Sequence, residues 1–260
     1  MPRPGKVATR LPGSSWTATV LVAALAGCGG ADAPPPEAPA PSDAPAPSEA
    51  PAPSEDPAGH HHAGQGAHHD FSDVDRFARI FDDPGRDAWQ RPDDIVSWLA
   101  IEPGQTVVDL GAGTGYFLSR LDAAVGEGGR VIALDVEPAM VAHMETRAAG
   151  EGLTRVEARV CPLDQPGLTR ASVDRILVVD TWHHLPDRAA YAAHLREALR
   201  PGGHIVVVDF TLERPMGPPV EMRLSGEAVM EELRRGGLEA TTVEESLPYQ
   251  YVVKAWAPVE

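Results

Sequence analysis

Val107-Val108-Asp109-Leu110-Gly111-Ala112-Gly113-Thr114-Gly115 is an apolar run ending in an aspartate, followed by three glycines at alternating positions. The valines read as a buried strand, and the glycines allow a tight turn that brings backbone close to a ligand. Such a strand and turn suit a nucleoside-containing cofactor. A dinucleotide fingerprint requires Gly or Ala three residues after its second glycine, where helix and strand pack closely. Counted from Gly111 and Gly113, that position holds Tyr116. Asp109 would also set a negative charge near a pyrophosphate, whereas it suits an ammonium group. The turn therefore points away from a dinucleotide.

Outward from the turn, strand-like and helix-like segments alternate. Strands are predicted over 106–110, 130–135, 156–160, 175–179 and 204–210, and runs such as ILVVD and IVVVDF are apolar at consecutive positions, as strands covered on both faces should be. Helical spacing predicts helices over 116–124, 138–149 and 188–199 between them. Two helices are expected ahead of the first strand, over 72–81 with Ser72 as N-cap, and over 92–99. A helix over 225–235 leads to extended segments 240–245 and 249–256, which can close the sheet as an antiparallel hairpin. The order implies an α/β fold with a doubly wound, mostly parallel sheet of seven strands and helices on both faces.

In such a sheet ligands sit beyond the carboxyl ends of the strands. Asp109 and the glycine turn end the first strand. Asp135 ends the second, 24 residues after Gly111, where an acid accepts hydrogen bonds from ribose hydroxyls. Asp164 follows the third strand in CPLDQP; Asp180 ends the fourth and precedes Thr181, Trp182, His183 and His184. Pro201-Gly202-Gly203 turns into the fifth.

The segments RDAWQRPDDIVSWL, VVDLGAGTGYF, VIALDVEPAM, VVDTWHHLPD and LRPGGHIVVVDF together resemble class I methyltransferases that use S-adenosylmethionine, in particular those of a bacterial small-molecule type. The tail, GPPVEMRLSGEAVMEELRRGGLE and LPYQYVV, is similar to the same subgroup. The resemblance implies a Rossmann-like fold over 70–260 and S-adenosylmethionine as cofactor. By position, Asp109, Gly111, Ala112, Gly113 and Gly115 would cradle its methionine end, Asp135 and Val136 would hold the ribose, and Asp164 would lie near the adenine amine. Trp89 and Gln90 would cover it. Methyl transfer from a sulfonium gains much of its acceleration from alignment and desolvation, so a base is optional. His183 or His184 could remove a proton from an oxygen or nitrogen acceptor, or serve structurally; Asp180 could orient an acceptor amine. Arsenite-methylating members use several cysteines, and this chain has two, which argues against arsenite.

The amino-terminal region reads differently. Residues 1–27 hold Arg3, Lys6 and Arg10, no acid, and a short apolar core from Trp16 to Leu25. That core is too short to span a bilayer permanently and has the form of an export signal. Leu25-Ala26-Gly27-Cys28 resembles a bacterial lipobox, in which Cys28 would be acylated, and Gly29 would favour the outer membrane. Lipidation would leave Cys161 without an intrachain disulfide partner. Residues 28–69 read as a tether, rich in Ala, Pro, Ser and acids, that stays extended and buries no core. Its end, GHHHAGQGAHH at 59–69, has five histidines without ordered ligand spacing; it reads as a solvated linker end or as a weak segment for capturing Zn, Ni or Cu, and no defined metal site is expected.

Of the formal net charge of −16, the three basic residues of 1–27 are the positive excess; the remainder carries 19 basic and 38 acidic residues. Such a surface repels nucleic acid and anionic lipid headgroups. The expected partner is a small molecule, with membrane contact only through lipid at Cys28. The expected location is the cell envelope, or the cytoplasm if the signal is not used. S-adenosylmethionine is made in the cytosol, so signal and cofactor site pull against each other. An enzyme is favoured, and the alternative is an exported, non-catalytic module that binds a nucleoside or metabolite.

Overall fold

The structure, a computed structural model, describes residues 73–244 and 247–258. The expected signal, tether, histidine-rich segment and Ser72 cap lie outside the described residues. Among these, no helix is long and apolar enough to cross a membrane.

The chain forms α1 (Val74–Phe81), α2 (Arg86–Gln90) and α3 (Pro92–Trp98), then β1 (Thr106–Leu110), α4 (Leu118–Val125), β2 (Arg130–Asp135), α5 (Pro138–Glu151) and β3 (Val156–Val160). It continues with β4 (Val173–Val179), α6 (Arg188–Ala198), β5 (Leu199–Phe210), α7 (Gly226–Arg235), β6 (Glu239–Thr242) and β7 (Gln250–Trp256). The sheet order is β3-β2-β1-β4-β5-β7-β6. β1 to β5 pair in parallel, and β7 pairs antiparallel with both β5 and β6. The expected doubly wound sheet and its antiparallel closure are therefore present.

Alternation along each strand sends successive side chains to opposite faces. Val107, Val131, Leu177, Val206 and Val208 join α3, α4 and α5 in one apolar cluster. Val108, Leu110, Ile132, Ile176, Val178 and Val207 join α6 and α7 in the other. Both faces are covered, which is why these strands read as continuous apolar runs. Asp109 shares the face of Val107, where only a carboxylate interrupts the apolar row.

Three local expectations are corrected. The N-cap of α1 is Asp73, whose side chain accepts from the Arg76 amide, because the helix starts at Val74. The helix expected from 116 starts at Leu118, since the glycine turn continues through Tyr116 and Phe117. Pro201-Gly202-Gly203 lies within β5 as a bulge: Val173 pairs with Leu199, but Arg175 pairs with His204.

Candidate functional site

The carboxyl ends of β1, β2, β4 and β5 each have an acid at the last residue or directly beside it: Asp109, Asp135, Asp180 and Asp209. The glycine turn after β1 is anchored by the Gly111 and Ala112 amides, which donate to the Leu134 carbonyl at 2.8 and 3.0 Å. Gly111 is required twice over. Its φ is +71°, and a Cβ there would collide with the Thr181 side chain. The β1 turn and the segment after β4 are thus packed backbone against side chain.

Asp135 ties β2 to this turn. Its Oδ2 accepts from the Gly113 amide and its Oδ1 from the Glu137 amide, both at 2.9 Å. The Val136 amide also donates to it. Burial pushes the carboxyl upward and these N–H groups oppose the shift. Each oxygen keeps lone pairs for further donors.

Asp109 is only 3% exposed, and its Oδ2 has no hydrogen-bond partner. Burial pushes its pKa up to about 7, countered by the Arg86 guanidinium and reinforced by Asp135. A buried acceptor without a donor is costly unless a ligand or water supplies one. Asp180 is held in the left-handed region, φ +54°, which aspartate tolerates better than most residues. Burial and the nearby Asp209 raise its pKa to about 7, against Arg86, His183 and Gln250.

Helix α2 lies over these strand ends. Gln90, fully buried, accepts from Arg86 Nε at 3.1 Å and donates to Gln250 Oε1 at 2.5 Å. Gln250 donates to Asp180 Oδ1 at 2.6 Å. Gln90 is therefore held in a chain of hydrogen bonds reaching β4 and β7. Trp89 packs its ring 6.0 Å from Phe210 and 6.1 Å from Tyr249. Phe81, at the end of α1, covers Gly113, while Tyr116 donates to Asp87.

The turn Trp182–His184 after β4 places His183 inside, where its Nδ1 lies 2.9 and 3.0 Å from the two Asp209 oxygens. An ionised carboxylate only accepts, so Nδ1 carries the proton and Nε2 the lone pair. Trp182 Nε1 donates to Glu232 Oε2 at 2.9 Å, and Arg188 also pairs with Glu232, locking the turn to α7. His184 stacks on His183 with ring centroids 4.1 Å apart. Asp164 is exposed on the loop after β3, which starts beside Asp135 because the Cys161 amide donates to its carbonyl. Cys161 is buried and free, and burial pushes its thiol up to about 11. The structure thus gathers Asp109, the glycines, Asp135 and Asp180 at one edge, with His183 next to Asp180.

The family model described as "Methyltransferase domain" matches residues 107–203, from the first valine of the β1 motif to the bulge of β5. Over those residues the chain is similar to methyltransferases. A crystal structure of a SAM-dependent methyltransferase from Aquifex aeolicus shares 29% identity with it, at a TM-score of 0.67 over 72% of this chain and 98% of that one. Nocamycin O-methyltransferase of Saccharothrix syringae is 32% identical over 149 residues, which are 56% of this chain and 50% of that protein. Arsenite methyltransferase of Halobacterium salinarum is 27% identical over 126 residues, 48% of this chain and 32% of the relative. The chain spans about a third to a half of these curated relatives.

Sequence reasoning passed over Arg86, Asp209 and Gln250. Asp209 carries the same signal as the other acids, a carboxylate at the end of an apolar strand. Arg86 and Gln250 carry no such signal, since their importance depends on contacts across the fold.

Proposed function

We propose that the protein transfers a methyl group from S-adenosylmethionine to a small-molecule acceptor. The observation that carries this is Asp109: a buried carboxylate with an unpartnered oxygen, beside a glycine turn stitched to Asp135. A cationic ligand group would satisfy that oxygen, so the residues present fit the cofactor. Asp109 and the turn Gly111, Ala112, Gly113 and Gly115 would hold the methionine end, and Asp135 with Val136 the ribose. Asp164 would approach the adenine, and Gln90 would act from α2 by holding the roof in place. The bound cofactor supplies a methyl group activated on a sulfonium. His183 Nε2 is the group that takes the proton from an acceptor oxygen or nitrogen, with Asp209 fixing its tautomer. Asp180 orients the acceptor, and His184 steadies the His183 ring. Cys161 is the one cysteine among the described residues, which disfavours arsenite, because thiophilic arsenic needs several thiolates.

Calorimetry of the full-length protein with S-adenosylmethionine tests this reading through pH. Asp109 must be ionised to pair with the ammonium, so affinity rises about tenfold per pH unit up to about 7. Above about 8 the free α-amine loses its proton and affinity falls again, leaving an optimum between the two. Asp109→Asn removes the acidic limb. Absence of binding across this range would sink the proposal.

The lipid anchor remains a proposal supported by the sequence alone: the basic start, the apolar core and Cys28. Palmitate labelling of the full-length chain in a bacterial host should disappear in Cys28→Ser; equal labelling of both would remove the anchor.

A further inference from the structure

The opposite end of the sheet, where β7 finishes beside the bulge of β5, holds a separate cleft. It is lined by Gly202, Gly203, His204, Lys254, Trp256 and Ala257 and has a volume of about 210 Å³. His204 lies five residues before Asp209, about 16 Å along β5 from the acidic edge. His204 stands opposite Arg175 on one neighbouring strand and Trp256 on the other, and Lys254 is two residues from Trp256. All four side chains therefore leave the same face, the one packed against α3. Arg175 uses its nitrogens on carbonyls: Nε on Leu99 at 2.7 Å, Nη1 on Asp174 at 2.8 Å and Nη2 on Ala100 at 3.3 Å. It supplies charge to this end of the sheet rather than a free donor.

The cleft gathers positive charge in a chain whose formal net charge is −16. Lys254 is the only lysine among the described residues, and it makes no ion pair or hydrogen bond with any of them. Burial and the Arg175 guanidinium hold its ammonium below the usual range. His204 is buried, and its Nε2 has no hydrogen-bond partner. Burial, Lys254 and Arg175 push His204 down to about 4, against the Trp98 and Leu99 carbonyls, so its ring is neutral at pH 7. Glu239, on β6 opposite Trp256, accepts from the Trp256 indole at 2.8 Å and forms no ion pair with Lys254. Neighbouring cations without an acid between them repel, and a bound anion relieves that repulsion. The remaining walls are mostly carbon, from Trp256, Ala257 and the two glycines. At about 30 Å³ for a water-sized unit, the cleft takes about seven non-hydrogen atoms. We propose that it binds a small organic carboxylate, with Lys254 holding the carboxylate and Trp256 lining the carbon chain. This second ligand site is separate from the methyl-transfer pocket and stands independently of how that pocket is read.

The Trp256 indole N–H reports on the cleft in nuclear magnetic resonance of the ¹⁵N-labelled full-length protein, its signal assigned by its loss in Trp256→Phe. Acetate, butyrate, inorganic phosphate and butylammonium are titrated in turn at fixed ionic strength. Butyrate should shift the signal saturably and bind about tenfold more tightly than acetate, because two more methylenes leave water. Butylammonium, with the same chain and the opposite charge, should give no saturable shift. Lys254→Met, which keeps the length and removes the charge, should weaken butyrate at least tenfold, while Lys254→Arg should stay within threefold of wild type. An unchanged thermal midpoint shows that Lys254→Met is folded, and Lys254→Gln takes its place if it is not. Absence of a saturable shift with butyrate in wild type would overturn the inference, as would undiminished binding in the neutral variant. Phosphate binding as tight as butyrate would also overturn it, since the cleft would then hold any anion without reading a carbon chain.

Discussion

Asp135→Ala is expected to weaken S-adenosylmethionine binding by about 100-fold, close to 3 kcal/mol. Two effects combine. The ligand loses two acceptors for its ribose hydroxyls. The protein loses the partner of the Gly113 and Glu137 amides, each held at 2.9 Å, so the glycine turn loses its tie to β2. An unpaired buried N–H costs about 1–3 kcal/mol, and here water can offset part of it. Calorimetry with wild type and Asp135→Ala reads the change, and thermal unfolding reads the cost to the fold. Asp135→Asn, which keeps acceptor capacity at one atom, should fall between them. Binding within threefold of wild type would show that Asp135 supports the turn but does not touch the ligand.

His183→Asn is expected to lower turnover by 100-fold or more, within the range of about 10²–10⁴ for loss of a positioned general base. The acceptor used is one found by a methyl-transfer screen of cell extracts. Asparagine can keep a donor toward Asp209, so the buried acid is not left unpaired, but it has no basic nitrogen in place of Nε2. S-adenosylmethionine affinity should stay within threefold, which separates chemistry from cofactor binding. Asp209→Asn should also slow turnover, because an amide can stabilise the other imidazole tautomer and aim the proton rather than the lone pair at the acceptor. Turnover within threefold in His183→Asn would assign the rate to alignment alone and leave His183 a structural role.

Much of the sheet was legible because burial on both faces forces apolar residues at consecutive positions, and ILVVD and IVVVDF show this directly. The acids at the ends of β1, β2 and β4 were legible for a related reason: a polar group that ends an apolar run marks where the sheet meets the ligand edge. α2 was not legible, since five residues are too few to show a helical period. The bulge in β5 was hidden because Pro-Gly-Gly reads as a turn whether it joins two elements or bends one. Arg86 and Gln250 escaped for a topological reason: nothing local to either says that they approach Asp180.

The hydrogen bond between Gln90 and Gln250 joins residues 160 positions apart. β7, which contributes Gln250, lies between β5 and β6, so the last strand among the described residues is inserted between two strands that precede it in the chain, one place from the edge of the sheet. A ribosome therefore releases the glycine turn, Asp135 and His183 well before the residue that fastens the roof above them. During synthesis, or during any passage through a translocation channel, the nascent domain holds an unfinished pocket. Tight cofactor capture is consequently a property of the finished polypeptide, and the order of assembly delays it until the last strand has docked.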